Sequence, residues 1–230
     1  MIEMIAYEII RRKEAHQSES CLSFAGGKPI LPKHINCPEC KFCNQKMTFF
    51  FQIEFPEGHD WHGKIMSMFY CTKCYPSEGG NSQMASDLSE IPDYFLDKYQ
   101  TNFRIFAYDS TEKCEIHSNY DEMIEYEIFE LKKLRKNEYS KKTKIGGRPY
   151  WRYDDNTPKS YMESRFTFLM QIDDDWEFDK LEYAPRQVTI PLCGSTTRED
   201  DRYALFSGLP LYFFGTLDLE EPKVYLLNQK

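Results

Sequence analysis

The chain has 230 residues and a formal net charge of −8, from 29 Lys and Arg against 37 Asp and Glu. That is the wrong sign for a protein that holds nucleic acid or an anionic membrane by neutralising phosphates, and it suits a basic protein partner, whose approach an acidic surface speeds. Aromatic residues make up 16% of the chain, and its apolar runs are short, aromatic and β-branched, which points to sheets rather than helix bundles.

Residues 1–18 place Ile2, Ile5, Ile9 and Ile10 at helical spacings and predict an amphipathic N-terminal helix. The stretch carries glutamates and has no apolar run of signal-peptide length, and nowhere do eighteen apolar residues follow one another, so a cytoplasmic protein without membrane contact is expected. A first β-unit is expected over 19–117. It opens on "AGGKPILP" (25–32), a Gly-Gly-basic-Pro turn that allows positive φ and then fixes the exit direction. The strand "MTFFFQI" (47–53) follows, apolar on nearly both faces as in a central strand covered on two sides. "SMFYC" and "FRIFAYD" read as further strands, and the polar "PSEGGNSQMASDLSE" (76–90) as a long loop.

Residues 118–142 predict a connecting helix and a basic linker. Ser118 or Asn119 can cap, Ile124, Ile128, Leu131 and Leu134 form a stripe, and Lys132, Lys133, Arg135 and Lys136 load the C-terminal end. A second β-unit is expected over 143–230, because "IGGRPYWR" (145–152) and "FTFLMQI" (166–172) repeat the earlier phrases. Gly27 lies 25 positions before Gln52, and Gly147 lies 24 before Gln171. Each Gln sits in an apolar strand and needs a buried partner, so a structural hydrogen bond to a neighbouring turn is its expected role. "QVTIPLC", "PLYFFGTLDL" and "KVYLLNQ" complete the strands. The expected class is α+β, mainly β: a duplicated β-unit with a few helices, with the two units open to forming one continuous domain.

The first unit alone is armed with cysteines. Cys37, Cys40 and Cys43 are three apart, and "CTKC" adds Cys71 and Cys74. In a cytosolic chain such thiols point to metal before disulfides. Paired C-x2-C knuckles are the usual way to set four thiolates round zinc. The spacing favours Cys40, Cys43, Cys71 and Cys74, brought together by an intervening hairpin. Cys37, His59 and His62 remain alternates. Four thiolates close the coordination shell, so the zinc is expected to be structural. The acidic turn Asp173, Asp174, Asp175 and Trp176 is the candidate partner surface, since Asp and Trp suit contact with a cationic cleft.

The runs "GGKPILP", "CKFCNQKMTFFFQIEFP" and "KIMSMFYCTKC" resemble the zinc-binding segment of the programmed cell death protein 2 family: a GG-x-P turn, C-x2-C, a hydrophobic stretch ending in Gln, and a strand ending in a second cysteine cluster. The two-copy layout, with "KIGGRPYW" and "FTFLMQID", resembles the bacterial YwqG-like family, largely of undefined function. The match covers residues 20–75 and 143–175 well and the last fifty residues poorly. Copy two lacks a CxxC and inserts "DDDWEFD" where a hydrophobic continuation belongs. What the resemblance implies is a duplicated, mostly β protein that binds other proteins. Eukaryotic relatives are similar to dedicated chaperones of a ribosomal protein, and bacterial relatives look like immunity proteins beside toxins.

Catalytic phrases are missing from the sequence. None of His16, His34, His59, His62 or His117 sits in a recognisable nucleophile–base motif, "PLCGSTT" (191–197) lacks the G-x-S-x-G frame, and Pro directly after the basic residue of each Gly-Gly turn removes an amide a phosphate would need. The expected function is therefore a non-enzymatic, zinc-containing protein that binds a basic partner, most concretely an immunity protein that neutralises a toxin. A chaperone of a basic ribosomal client and an unrecognised zinc enzyme are the alternatives; the latter requires His59 or His62 in place of one cysteine.

Overall fold

A computed structural model of the protein describes residues 5–74, 91–135, 140–189, 196–218 and 220–229. They form strands β1 (Ala6–Lys13), β2 (Phe24–Ala25), β3 (Ile30–Pro32), β4 (Thr48–Glu54), β5 (Lys64–Tyr70), β6 (Phe103–Asp109), β7 (Cys114–Ile116), β8 (Glu127–Lys133) and β9 (Lys144–Gly146). Then come β10 (Ser160–Tyr161), β11 (Ser164–Ile172), β12 (Glu177–Asp179), β13 (Val188–Thr189), β14 (Thr196–Thr197), β15 (Arg202–Ala204), β16 (Leu211–Thr216) and β17 (Val224–Asn228). Helical structure among the described residues is limited to α1 (Phe95–Lys98) and a 3-10 turn at Leu205–Gly208.

Eleven strands make one antiparallel sheet in the order β17-β16-β11-β9-β1-β8-β2-β4-β5-β6, with β10 beside β11. The sheet is nearly closed. Just after α1, the Tyr99 hydroxyl donates to the Val224 carbonyl (2.8 Å) and accepts from the Leu226 amide (3.0 Å) on β17. The next residue, Gln100, accepts from the Ile105 amide on β6 (2.7 Å), so two consecutive side chains tie the sheet's two edges at one end.

Both long helices expected from the sequence are strands. Ala6–Lys13 is β1 and Glu127–Lys133 is β8, and the two pair over their whole length at the centre of the sheet. The helical stripe is not the face that is buried: in β8 Glu127 and Phe129 are buried while Ile128 and Leu131 are half-buried, and Ile10 of β1 is exposed, so tertiary pairing overrides the helical spacing. The charges of the two segments are cross-strand partners: Glu8 lies opposite Lys132, Arg12 bridges Glu130 (3.0 Å), and Arg11 bridges Glu127 (3.3 Å). The 76–90 loop and most of "PLCGSTT" lie outside the described residues.

One apolar core joins the two halves of the chain. Phe50 and Phe51 of β4 pack with Phe178 and Tyr203, and with Trp176 and Phe213, all from the second half. Trp61, in the β4–β5 turn, reaches the other way: its indole N–H donates to the Thr216 carbonyl on β16 (3.0 Å) and its ring fills the space beside Gly215. A smaller cluster of Phe24, Ile30, Met47, Phe49, Phe69, Cys40 and Cys71 covers the opposite face of β2, β4 and β5. This two-sided cover is what the unbroken apolar phrase of β4 predicts.

The repeated phrases occupy matching surroundings. Gly26, Gly27, Gly146 and Gly147 all have φ between 61° and 72°. A Cβ at Gly26 would come 2.1 Å from the Glu125 carbonyl oxygen, just before β8, and one at Gly146 would come 2.4 Å from that of Ile5, just before β1. Gln52 accepts from the Ile30 amide (3.3 Å) and donates to Leu22 O (3.3 Å); Gln171 accepts from the Tyr150 amide (2.8 Å) and donates to the carbonyls of Ser140, Lys141 and Lys142. Each acceptor contact reaches the third residue after its Gly-Gly turn. A register shift falls between Phe49 and Phe51 in β4 and between Phe168 and Met170 in β11, turning consecutive side chains into the shared core.

Candidate metal centre

The cysteine site is built from two turns that the sheet brings side by side. In the first, Met47 N donates to Pro38 O (2.9 Å), Cys40 N to Gln45 O (2.9 Å) and Asn44 N to Cys40 O (2.8 Å). Asn44 takes a φ of 55°, a left-handed conformation that Asn tolerates better than most residues and that closes the knuckle after Cys43. The second turn leaves β5 at Cys71, whose amide donates to Asn102 O (2.8 Å) and so extends the β5–β6 ladder by one step. Lys41 N donates to the neighbouring Thr101 O (2.9 Å), so the lead-in to β6 clamps both knuckles. Sequence reasoning missed this support, because Thr101 and Asn102 act there through their backbone carbonyls and carry no motif.

The sulfurs of Cys40, Cys43, Cys71 and Cys74 all lie within 4.8 Å of one another. Cys40–Cys74 and Cys43–Cys71 are 3.6 Å apart and Cys71–Cys74 3.5 Å. A tetrahedron with metal–sulfur arms of about 2.3 Å has edges of roughly 3.8 Å, whereas a disulfide would hold its sulfurs about 2.05 Å apart. The spacing is therefore that of four ligands round one ion. Cys40 and Cys71 are buried and Cys43 and Cys74 half-buried. Burial pushes the Cys71 thiol up to about 12, and burial together with the Cys43 and Cys71 sulfurs raises Cys74 further. Cys43 moves the other way: burial opposes its ionisation, but the Gln45 amide and the surrounding thiols outweigh it. A cation at the centre would supply the charge that burial withholds from the other sulfurs. All four donors are soft, a set that suits zinc or another thiophilic ion.

The alternates stand elsewhere. Cys37 lies outside the four-sulfur group, 3.8 Å from His117 Nδ1, with its thiol raised by burial. His59 and His62 sit in the β4–β5 turn, at the far end of a seven-residue hairpin and so about 20 Å from the cysteines. His59 stacks on Phe55 (4.8 Å between ring centroids) and accepts from Trp61 N (3.0 Å), and burial depresses its pKa; His62 is exposed. Among the described residues, the four cysteines form the one group of three or more His, Cys, Asp or Glu side chains close enough to share an ion.

The acidic turn is only in part a surface. Trp176 faces inward, packed against Phe51, Phe129 and Phe178 and under the Arg11 guanidinium (5.4 Å to the ring), so the indole is a core group rather than a partner contact. An aromatic beside three aspartates looks exposed in sequence; the sheet's concave side draws it in. Asp174 is held by Arg152 (3.1 Å), and Asp173 is pushed up to about 6 by burial and by the Asp174 carboxylate beside it, against the Asp174 amide that donates to it. Asp175 alone of the four is exposed.

Fold and site together define a mainly β protein with one nearly closed antiparallel sheet and a four-cysteine cluster able to hold a metal ion. No protein-family model matches the chain, and no curated protein matches it.

Proposed function

We propose that the four cysteines hold one zinc ion as a structural staple, and that the chain is a non-enzymatic, cytoplasmic protein-binding protein whose partner is basic. The observation that carries this reading is the make-up of the cluster. Four sulfurs at tetrahedral spacing fill the shell, which leaves no position for a reacting water. His59, the residue that an open zinc would recruit, is engaged in the β4–β5 turn instead. The staple closes the small cluster on the outer face of β4 and β5, where Cys40 and Cys71 pack with Met47, Phe49 and Phe69. The excess of 37 acidic over 29 basic residues supports a cationic partner, most concretely a toxin that this chain neutralises as its immunity protein. A basic client held as a chaperone would use the same chemistry.

The matched Gly-Gly turns, buried glutamines and register shifts support an internal duplication in which each unit's leading strand pairs with the other unit's Gly-Gly strand: β1 with β9, and β8 with β2. Only the first unit keeps the metal. Zinc-edge absorption on purified protein tests the staple, with one zinc in a four-sulfur shell as the expected result and nitrogen or oxygen ligands as the result that would reopen an enzymatic reading. Co-expression with a basic toxin encoded beside this chain tests the function; binding and rescue are expected, and their absence would overturn the immunity assignment.

A further inference from the structure

The outer edge of β6 is open. Its inner edge pairs with β5 from Phe103 to Asp109 without a register break, and among the described residues no strand pairs with its other side. Antiparallel backbone groups point alternately to the two sides, and the phase is set at both ends. Cys71 N donates to Asn102 O and Ser110 N to Gly63 O, so Asn102, Arg104, Phe106, Tyr108 and Ser110 bond inward. Phe103, Ile105, Ala107 and Asp109 therefore turn their amides and carbonyls outward. The chain itself occupies two of these amides: Gln100 takes Ile105 N, and Glu112 takes Asp109 N (3.3 Å). What remains in mid-strand is the Ile105 carbonyl with the Ala107 amide and carbonyl. Natural sheets usually blunt such edges with proline, a bulge or a very short strand; β6 has seven residues, no proline and no bulge.

That edge forms one wall of a cavity of about 460 Å³ whose opposite wall is the approach to β17 at Glu220–Val224. The carboxylates of Asp97, Asp109, Glu112, Glu220 and Glu221 line it, against the cations Arg104 and Lys223. Lys223 is already paired with Asp97 (3.0 Å) and Glu221 (3.6 Å), Asp109 with Lys64 (2.9 Å), and Arg104 stacks on Phe106. Glu112 and Glu220 have no ion pair among the described residues. The groove thus offers free ladder groups and unneutralised acid side by side.

We propose that this groove takes an extended, lysine- or arginine-rich segment of a partner protein, which adds to β6 as a further strand. Its backbone bonds Ile105 O and Ala107 N and O, and basic residues at alternate positions, which share one face of a strand, meet Glu112 and Glu220. This rests on the reading of the chain as a binder of a basic protein and names the surface and binding mode.

The test uses the full-length protein and a fluorescent eight-residue peptide of alternating lysine and valine, followed by anisotropy at low and moderate salt. Ala107→Pro removes the outward amide at an edge position where proline is tolerated. It is expected to weaken binding at least about tenfold, since a lost ladder bond with its stranded partner is worth roughly one factor of ten. N-methylation of alternate peptide amides should do the same, and the double change Glu112→Lys with Glu220→Lys should abolish the binding while the melting temperature stays within a few degrees. Binding indifferent to Ala107→Pro and to N-methylation would reduce the interaction to charge alone and overturn the proposal. So would no peptide binding at low salt, or self-association that Ala107→Pro removes, which would make a second copy the occupant. Toxin rescue by the Ala107→Pro protein equal to wild type would sink the groove and leave the proposed function standing. Rescue absent from the wild type would sink that function, with the peptide titration still deciding the groove.

Discussion

Gly215 on β16 has no side chain because Trp61 occupies the place where one would be. A Cβ built there would lie 2.2 Å from Cζ2 and 2.3 Å from Cε2 of the indole, whereas carbon atoms pack at about 3.5 Å or more. Gly215→Ala must therefore displace Trp61 by over an ångström. That ring is 1% exposed, edge-on to Phe55 at 5.5 Å and bonded through Nε1 to Thr216 O at 3.0 Å. Overpacking of this kind costs about 1–3 kcal/mol. Losing the buried indole bond adds about 1–3 kcal/mol. The two together come to about 2–6 kcal/mol, and at roughly 2–4 °C per kcal/mol for a chain of this size the melting temperature should drop by about 4–24 °C. Elsewhere in a strand Gly→Ala would stabilise by about 0.5–1 kcal/mol, so even the sign is informative. Urea and thermal unfolding of Gly215→Ala, Trp61→Phe and the double variant form a cycle, and the double variant should be less destabilised than the two singles together. A Gly215→Ala protein as stable as wild type, or a cycle additive to within about 0.5 kcal/mol, would refute the argument.

Chelation should strip the metal and lower the melting temperature of the wild type. Cys71→Ser should do so without chelator, while Cys37→Ser, outside the four-sulfur group, should keep full metal content by elemental analysis. Because metal-binding sulfurs must be deprotonated, acidification should release the ion, readable with a chromogenic indicator. Gln171→Leu should cost about 2–4 kcal/mol in denaturant unfolding, since it strands the Tyr150 amide and the carbonyls of Ser140, Lys141 and Lys142; Gln52→Leu should cost a comparable amount at Ile30 and Leu22. Burial holds His59 neutral and its folded pKa below the ordinary 6.5, so the folded state binds fewer protons than the unfolded one. Stability from this residue is complete above pH 6.5 and falls as pH drops below it. The wild type should lose stability between pH 6.5 and 5, and His59→Gln should lose less of it.

Much of the metal centre was legible in the chain, because a C-x2-C knuckle is a local device: two sulfurs three residues apart serve one ion wherever the knuckle sits. The same holds for the Gly-Gly turns, whose positive φ values depend on residues adjacent in sequence, and for the buried glutamines, which an apolar strand obliges to find a partner. The direction of Trp176 was not legible, nor was the identity of β1 and β8. Their patterns of Ile, Glu and Lys serve a helix surface or a strand pair alike, and only the partner across the ladder separates the two. By itself the sequence determined that the chain is mainly β, which cysteines lie within reach of one ion, and where its two Gly-Gly turns fall. The tertiary structure decided that the two halves share one core and that β1 and β8 close the centre. It also decided that the open edge of β6 lines a cavity into which five carboxylates are gathered. Pairing between residues more than a hundred positions apart is decided by which surfaces can be buried together, and no local pattern carries that information.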